Sequence, residues 1–298
     1  MTRISIIIPT KDRPHFLRRA VASACASGGE NDEIIIVDDH SEIPAAESLQ
    51  QLDDPRLRIK RMPRGASGVS AARNLGIALA HGDIFAFLDD DDELEPQYLA
   101  HIRNTASRGA DYGFSSYILS DGSCPPNIDA AKARFAEGYI AANAPPHRKT
   151  FGFGMGFWMT RDTADLIGQL DTSLLINEDT DYACRLWRAD RRGWYSANPG
   201  VIVHAHFGKS AGQLGNTTGR VDPAERARCM KALCDRYPEF IDHLGRGYIR
   251  HCLRAGRVSD AVIFVREQPL ASVRARLRAY LYAKRIGYGL RSSRPVKT

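Results

Sequence analysis

The sequence lacks any apolar run near the roughly 20 residues that a membrane span requires. Its six cysteines form neither a CxxC pair nor a zinc-binding spacing, so we expect reduced thiols and no structural zinc. No G-x-G-x-x-G motif follows a predicted strand, which argues against a Rossmann dehydrogenase. An apolar segment begins almost at once, so we expect no secretory leader and a cytoplasmic protein.

Acidic residues are scarce at one end of the chain. From Leu244 onward, 13 lysines and arginines stand against two acidic residues, a balance of +11. The preceding residues carry a balance of −5, within a total of +6. So basic a tail is typical of a segment that binds an anionic membrane surface or nucleic acid, and also of a helical appendage.

The most informative stretch is 84–96, where five apolar residues run directly into Asp89, Asp90, Asp91 and Asp92. A short apolar run rich in aromatic and branched residues predicts a buried strand. The carboxylates then lie at its carboxyl end, where open α/β sheets bind ligands. Their mutual repulsion favours a bound cation, and oxygen-only ligands favour Mg²⁺ or Mn²⁺. A solvated acidic turn is the alternative.

The order of elements predicts an α/β fold with a mostly parallel sheet covered by helices on both faces. In the first half, strands are expected over 4–8, 33–37, 57–61 and 84–88, and helices over 14–26, 70–81 and 96–107. In the second half, we expect strands over 112–119 and 201–203 and a helix over 179–189. Helices near 223–236, 246–255, 259–267 and 271–286 complete the chain.

Four segments, taken in order, resemble family 2 glycosyltransferases, which are inverting enzymes of GT-A fold that use nucleotide-diphosphate sugars. They are SIIIPTKDRPHFLRRAV, EIIIVDDHS, GVSAARNLGIALAHGDIFAFLDDDDELEP and NEDTDYACRL. The resemblance implies a GT-A catalytic domain over 1–220. Its nucleotide-sugar half would be 1–110 and its acceptor half 111–220, followed by a basic helical region over 221–298.

The resemblance also implies a donor site at the ends of the first strands. Asp39 is expected to accept the N–H of a uracil-like base, while Asp38 is equally suited to shaping the turn. The residues predicted to bind the nucleotide sugar are Pro9, Thr10, Arg13, Asp39, Ser67, Arg73, Asn74, Asp89 and Asp90.

The metal site follows the family's pattern of two Asp residues separated by one position. Two registers fit, Asp89 with Asp91 and Asp90 with Asp92. The usual form of the family places the Mg²⁺ or Mn²⁺ on Asp91. We add His206 as a second metal contact, with His204 as the weaker candidate.

The implied reaction is a single displacement that inverts the anomeric carbon, with a base accepting the proton of the acceptor hydroxyl. The segment NEDTD resembles the acidic pair of the family, so Asp179 is the predicted base and Glu178 the runner-up. An ordinary helix start also favours acidic residues. In the glycine-rich segment FGFGMGFWM, Phe153, Phe157 and Trp158 are predicted to stack on the acceptor sugar, with core packing as the equal alternative.

We therefore predict a metal-dependent inverting hexosyltransferase that moves a sugar from a nucleotide-diphospho-sugar, with UDP-sugar preferred, to a glycan or lipid-linked acceptor. Surface polysaccharide or glycoconjugate biosynthesis is the expected process. The absence of a QxxRW motif argues against a processive synthase. The alternatives are a sugar-1-phosphate nucleotidyltransferase and a non-catalytic nucleotide- or glycan-binding protein on the same fold.

The tail is predicted to make a peripheral contact with an anionic membrane, on its inner face, and no nucleic-acid partner is expected. Val273, Leu277, Tyr280 and Leu281 fall on one helical face, with basic residues elsewhere, as in an interfacial helix. Packing of this apolar face on the catalytic domain is the alternative of equal weight.

Overall fold

The computed structural model describes residues 2–120, 137–140, 152–204 and 221–287. The chain divides into two compact units. Met1–Ser173 and Glu178–Leu214 form the first unit, and Leu174–Asn177 and Gly215–Thr298 form the second. Within the described residues, no helix is long and apolar enough to cross a membrane. The predicted boundary at residues 220 and 221 stays a prediction.

The described part of the first unit contains one sheet of nine strands. The strands are β1 (Ile4–Thr10), β2 (Glu33–Asp38), β3 (Leu57–Arg61), β4 (Ile84–Phe87), β5 (Glu93–Leu94), β6 (Tyr112–Leu119), β7 (Gly138–Ile140), β8 (Trp158–Thr160) and β9 (Gly193–Val203). Their order across the sheet is β3-β2-β1-β4-β8-β6-β9-β5, and β7 pairs with β9.

The first four strands are parallel, as their apolar composition predicts. The expectation of a mostly parallel sheet does not extend beyond them, because β8 runs antiparallel to both of its neighbours, β4 and β6. The pair β6 and β9 is parallel, whereas β5 and β7 are antiparallel to β9. The sheet is therefore mixed.

Six helices are described in the first unit. They are α1 (Pro14–Ser27), α2 (Ala45–Ser48), α3 (Val69–Leu79), α4 (Tyr98–Ser107), α5 (Arg161–Ile167) and α6 (Glu178–Arg188). Because successive side chains of a strand face opposite sides, Ile6 and Ile8 of β1 join one apolar cluster and Ile7 joins another. Both faces of the sheet are thus covered by apolar packing, as predicted.

Several elements differ from the sequence prediction. The three short strands β5, β7 and β8 were not predicted. The short helices α2 and α5 were not predicted, and α5 begins at an N-cap, since Thr160 Oγ1 accepts from the Thr163 amide. The strand predicted over 201–203 begins instead at Gly193. The sequence Asn198-Pro199-Gly200 conceals its first part, and the pairing with β6 shifts register beside it, between Ser115 and Tyr117.

The second unit contains four helices among its described residues: α7 (Pro223–Arg236), α8 (Ile241–Arg254), α9 (Val258–Arg266) and α10 (Ala271–Gly287). The apolar face predicted to touch a membrane is buried here, because Val273, Leu277 and Leu281 are at most 6 % exposed. Gly245 of α8 packs so closely on α10 that a Cβ there would lie 3.1 Å from Leu277 Cδ1. This face therefore packs on neighbouring helices of its own unit, and insertion into lipid would require unpacking it.

Candidate functional site

The carboxyl ends of β1 and β4 are joined by side-chain and backbone contacts. Thr10, the last residue of β1, donates its Oγ1 hydrogen to Asp90 Oδ2 at 2.7 Å. Its carbonyl oxygen accepts from the Asp39 amide at 2.8 Å, at the end of β2. Pro9, buried in β1, precedes it. Thr10, Asp39 and Asp90, three of the predicted donor-site residues, thus meet at one edge of the sheet.

The acidic run alternates between partly open and buried side chains. The side chains of Asp89 and Asp91 are 33 % and 17 % exposed, whereas that of Asp90 is 7 % exposed. Asp92 is also buried, and its Oδ1 accepts from the His204 amide at 3.1 Å. All four carboxylates have partners within the fold, and Asp89 and Asp91 are the two that keep appreciable solvent exposure.

Two of these carboxyl groups have pKa values above the usual range of an aspartate. Burial raises the pKa of Asp90 to about 6, although Arg13 and Thr10 favour its ionised form. Burial, followed by the charges of Asp89 and Asp91, raises the pKa of Asp92 to about 8. Burial is therefore the main reason that Asp90 and Asp92 give up a proton less readily than an exposed aspartate.

Arginine side chains of the first helix and its preceding turn contact this run. Arg13 Nη1 donates to Asp90 Oδ1 at 2.9 Å and to Asp91 Oδ2 at 2.8 Å. Arg19 Nη2 donates to the Asp91 carbonyl at 3.0 Å, and its Nε lies 3.0 Å from Glu93 Oε1. The sequence identified Arg13 but missed Arg19, since no spacing links a mid-helix arginine to a strand end 72 residues away.

The donor atoms at this edge suit a hard cation. No group of three or more His, Cys, Asp or Glu side chains arranged to hold a metal occurs in the described ranges. The carboxylates of Asp89 and Asp91 are oxygen donors, and Mg²⁺ typically takes one or two carboxylates and completes its shell with phosphate oxygens and water. The set fits such an ion. The predicted contact His206 lies outside the described residues.

Two glycines, Gly152 and Gly154, bring the main chain close to acidic side chains. A Cβ on Gly154 would lie 3.2 Å from Asp89 Oδ2 and 3.5 Å from Asp92 Oδ2. A Cβ on Gly152 would lie 3.6 Å from Asp179 Oδ2. The glycines of this segment therefore keep space beside two separate sets of acidic side chains.

The two carboxylate oxygens of Asp39 differ in their hydrogen bonding. Its Oδ2 accepts from the Gly68 amide at 3.0 Å, from Ser67 Oγ at 3.1 Å and from Lys11 Nζ at 3.3 Å. Its Oδ1 is buried and has no hydrogen-bond partner in the structure. Leaving a buried acceptor unsatisfied is costly, so this atom points to a donor that a ligand supplies. Ser67, a predicted contact of the nucleotide, lies beside Asp39, and Lys11 was not among the predicted residues.

Two other polar side chains near the edge are used by the fold itself. Asp38 accepts from the Ser41 amide at 2.8 Å and the Ala45 amide at 3.1 Å, so it shapes the turn into α2. Asn74 forms two hydrogen bonds with the backbone of Leu170, at 2.9 and 2.8 Å. Both the nitrogen and the oxygen of the Asn74 side chain, which was predicted to bind the nucleotide, are thus hydrogen-bonded to Leu170.

Arg73 links the acidic run to the acidic pair. Its Nη2 donates to Asp89 Oδ1 at 2.8 Å, and its Nη1 donates to Glu178 Oε1 at 3.1 Å. The guanidinium carbon lies 4.0 Å from the ring centroid of Phe153. The residue is only 4 % exposed, so its guanidinium group is committed to these partners. The predicted contact with a nucleotide diphosphate would need this bridge to open.

The acidic pair opens α6. Asp179 Oδ1 accepts from the Thr180 amide at 2.6 Å and from Thr180 Oγ1 at 3.2 Å. Burial, followed by the neighbouring charge of Glu178, raises the pKa of Asp179 to about 6. Asp181, two residues further along the helix, is buried and forms an ion pair with Arg185 at 2.8 Å. Asp179 therefore keeps one carboxylate oxygen, Oδ2, without a hydrogen bond to any described residue.

The three predicted acceptor aromatics lie in the core of the first unit. Phe157 and Trp158 are at most 1 % exposed, and Phe153 is 3 % exposed. Phe157 stacks on Phe87 with ring centroids 5.7 Å apart, and Phe153 meets Phe87 edge to face. Phe157 and Trp158 present no surface to a sugar here, which is the packing that the sequence left open as the alternative.

Residues 5–165 match the model of the family described as glycosyl transferase family 2. The chain belongs to glycosyl transferase family 2. This family 2 chain is 41% identical over 220 residues to WcaA of Escherichia coli (strain K12), a glycosyl transferase assigned to colanic acid biosynthesis, with 69% of this chain and 74% of WcaA covered.

Two other relatives match over shorter regions. The succinoglycan biosynthesis protein ExoW of Rhizobium meliloti is 34% identical over 114 residues, which cover 36% of this chain and 35% of ExoW. The GalNAc(5)-diNAcBac-PP-undecaprenol beta-1,3-glucosyltransferase of Campylobacter jejuni is 31% identical over 121 residues, covering 40% of this chain and 39% of the relative. The matches to these two proteins thus span well under half of their lengths.

Solved structures share the fold at low identity. S. aureus TarS 1–349 in complex with UDP-GlcNAc superposes with a TM-score of 0.67 at 14% identity, covering 96% of this chain and 92% of that one. The mannosyltransferase PcManGT of Pyrobaculum calidifontis, in complex with GDP-Man and Mn²⁺, gives 0.61 at 15% identity, covering 98% and 88%. The predicted GT-A type α/β fold with helices at its C-terminal end is confirmed.

Proposed function

We propose that this chain is a metal-dependent inverting glycosyltransferase that moves a sugar from a nucleotide-diphospho-sugar to an acceptor hydroxyl. The observation that carries the proposal is the bridge made by Arg73. Its guanidinium group holds Asp89, at the end of β4, next to Glu178, at the start of α6. Carboxylates suited to a cation and carboxylates suited to proton transfer thus lie within reach of one substrate.

The base of the donor is proposed to bind at Asp39. A uracil ring offers an N–H donor, and Asp39 Oδ1 is a buried acceptor without a partner. The ribose and diphosphate would then extend along the end of β1, past Thr10, towards the open carboxylates of the acidic run. The neighbour TarS was solved with UDP-GlcNAc, which agrees with a UDP-sugar as the donor.

Asp91, with Asp89, is proposed to hold the cation. These are the partly open members of the run, which favours the Asp89 and Asp91 register over the buried alternative. When bound, a Mg²⁺ or Mn²⁺ ion supplies Lewis acidity that neutralises the leaving diphosphate. The neighbour PcManGT was solved with Mn²⁺.

Asp179 is proposed as the general base. The acceptor oxygen forms a bond to the anomeric carbon as the bond to the diphosphate oxygen breaks, and the hydroxyl proton passes to Asp179 Oδ2. Attack opposite the leaving group inverts the anomeric carbon. With a pKa of about 6, Asp179 is ionised at neutral pH and still basic enough to accept a proton. Glu178, paired with Arg73, is less available for this role.

The acceptor is proposed to be a glycan or a lipid-linked glycan of a surface polysaccharide or glycoconjugate. The names of the relatives, which refer to succinoglycan, colanic acid and an undecaprenol-linked diphosphate, support this class. We also propose that the basic C-terminal end makes a peripheral contact with an anionic membrane surface, near which such acceptors reside. Its charge balance of +11 from Leu244 onward supports the contact.

A thermal-shift screen tests the proposal. UDP- and GDP-sugars are added with Mn²⁺, with Mg²⁺ or with a chelator, since ligands that bind the folded state raise its apparent stability. We expect at least one nucleotide sugar to stabilise the protein in the presence of the metal and to be hydrolysed slowly. If no nucleotide sugar stabilises it under any metal condition, the proposed function is wrong.

A further inference from the structure

A groove in the second unit is unused by the proposed reaction. It runs between α9 and α10 and encloses a volume of about 370 Å³. Its lining combines an aliphatic set, Val262, Val265 and Leu281, with an arginine set, Arg266, Arg278 and Arg285. The volume falls within the range of small-ligand sites, which is roughly 300–1,000 Å³.

The lining follows helical spacing on both sides. On α10, Arg278, Leu281, Tyr282 and Arg285 lie at positions i, i+3, i+4 and i+7, so they share one face. Arg278 and Arg285 are two turns apart, about 10 Å along the helix axis. The groove therefore has an apolar floor, and its arginines are spaced along its length.

The groove arginines are not neutralised within the part of the chain that the structure describes. Arg266, Arg278 and Arg285 take part in none of its ion pairs. Four carboxylates of the second unit pair with other basic residues: Glu225 with Arg228, Asp235 with Lys231, Asp242 with Arg276, and Asp260 with Arg257. Moreover, α10 contains no acidic residue. The groove thus offers positive charge to an external anion.

Large apolar side chains are exposed at and beside the groove. Tyr282, which lines it, and Ile286, next to Arg285, are each 69% exposed, and Ile263 is 50% exposed. A soluble phosphate compound would gain little from such neighbours. A membrane surface satisfies both features, because the headgroup layer carries phosphates and the layer beneath accepts aromatic and aliphatic side chains.

We infer that this groove is the point at which the protein binds an anionic phospholipid surface. The arginines contact headgroup phosphates, while Tyr282 and Ile286 enter the interfacial layer. The inference deepens the proposed membrane contact and rests on it. It moves the predicted contact from the buried side chains of Val273 and Leu277 to the groove beside them, whose floor includes Leu281 and whose rim includes the exposed Tyr282.

Vesicle co-sedimentation of the full chain tests the inference. The vesicles contain either phosphatidylcholine alone or phosphatidylcholine mixed with phosphatidylglycerol. The test variant is Arg278→Glu with Arg285→Glu. The matched control is Arg274→Glu with Lys284→Glu, which makes the same change in net charge on the same helix but outside the groove lining. A third variant, Tyr282→Ser, removes the apolar contribution. Circular dichroism confirms that each variant is folded.

We expect salt-sensitive binding to the anionic vesicles only. The groove pair should weaken it by about tenfold or more, and the control pair by less than about threefold. Tyr282→Ser should weaken binding without changing its salt dependence. If the wild type does not bind anionic vesicles, the membrane contact itself is wrong. If both charge pairs weaken binding equally, the membrane contact stands but the groove is not its site.

Two controls separate other anions from lipid. Inorganic phosphate at millimolar concentration should not displace the protein from vesicles. A single-stranded oligonucleotide should lose no more affinity for the groove variant than for the control variant. Displacement by phosphate, or an oligonucleotide affinity that falls only in the groove variant, would overturn the lipid assignment. Donor-sugar hydrolysis in the groove variant should remain unchanged, which keeps this test separate from that of the transferase.

Discussion

Arg73 Nη1 lies 3.1 Å from Glu178 Oε1, although the two residues are 105 positions apart in the sequence. The same guanidinium group reaches Asp89, so one buried cation fixes the relative position of two acidic segments. The arrangement also distinguishes Glu178 from Asp179. Glu178 forms an ion pair with Arg73, whereas Asp179 accepts hydrogen bonds only from Thr180 in the first turn of α6.

Replacing Arg73 should destabilise the first unit. In Arg73→Met, the carboxylates of Asp89 and Glu178 lose their shared partner, so we expect the free energy of unfolding to fall by about 3 kcal/mol. Urea unfolding measures this loss. Arg73→Lys keeps the charge but cannot span both carboxylates, and should recover only part of it. A methionine variant as stable as the wild type would show that the bridge contributes nothing.

Asp179→Asn should slow transfer by about 10²–10⁴-fold, which is the usual contribution of a general base. Donor and metal affinity should stay nearly unchanged, because Asp179 touches neither in the proposed arrangement. Single-turnover kinetics and donor titration separate the two effects. Glu178→Gln is the matched control. If it abolishes transfer while Asp179→Asn does not, the base is Glu178.

The pH dependence of transfer gives an independent check of the same residue. The pKa of Asp179 is raised to about 6, and a base acts in its ionised form. The turnover rate should therefore rise with pH through about 6 and then level off. In Asp179→Asn this rise should be absent. A wild-type rate that is flat from pH 5 to 7 would contradict the assignment.

Asp91→Asn should remove the metal dependence of donor binding and nearly all activity. Asparagine cannot supply the negative charge that a divalent cation favours in its ligands. Isothermal titration with UDP-sugar, with and without Mn²⁺, measures the effect. Asp89→Asn and Asp90→Asn, tested beside it, identify the register. Full activity of Asp91→Asn would refute the role of this carboxylate.

Asp39→Asn should weaken nucleotide binding by about 10- to 100-fold, since a buried acceptor for the base is lost or misaligned. Equilibrium titration with UDP measures this affinity. The neighbouring variant Asp38→Asn is the control, because Asp38 bonds only to backbone amides of the turn into α2. It should lower stability and leave UDP affinity nearly intact. Equal weakening by both variants would argue against Asp39 as the contact to the base.

Glu33 should stabilise the first unit at neutral pH. Burial opposes its ionisation, but hydrogen bonds from Ser5, the His81 backbone and Arg58 outweigh burial and lower its pKa to about 2. Since its ordinary value is 4.5, this stabilisation is present above pH 4.5 and is lost as the pH falls through 2.

In urea unfolding at pH 7, Glu33→Gln should therefore cost roughly 2–3 kcal/mol, a difference that narrows as the pH falls below 4.5. The exposed Glu47→Gln should change stability by less than about 0.5 kcal/mol. A constant cost of Glu33→Gln across this pH range would contradict the argument.

The sequence predicted the parts of the site that depend on single strands. The apolar runs of β1, β2 and β4 place Thr10, Asp39 and the acidic run at one sheet edge, because parallel strands end together. The distinction between Asp89 and Asp90 was not predicted. Asp90 accepts a hydrogen bond from Thr10, and buried and partly exposed side chains continue to alternate along the acidic run after β4 ends.

Pairings between distant segments were beyond sequence reasoning. Nothing near Asn74 indicates that its amide bonds to Leu170, and nothing near Arg73 indicates that it faces α6. The glycine-rich approach to β8 concealed a strand, so the sequence could not decide between a sugar contact and core packing for Phe157 and Trp158, which lie in the core. Local patterns identify elements, whereas the partner of each buried polar group is determined by the whole sheet.

Arg13 gives the acidic edge an internal counter-ion. Its guanidinium group contacts Asp90 and Asp91, so the positive charge of Arg13 offsets part of the negative charge of the acidic run. If Asp91 holds a divalent ion as proposed, that ion would compete with Arg13 for the carboxylate, and the guanidinium group of Arg13 would become available to the diphosphate. The metal and the nucleotide should accordingly bind together, because the cation and the diphosphate each offset the charge that the other adds to this edge of the sheet.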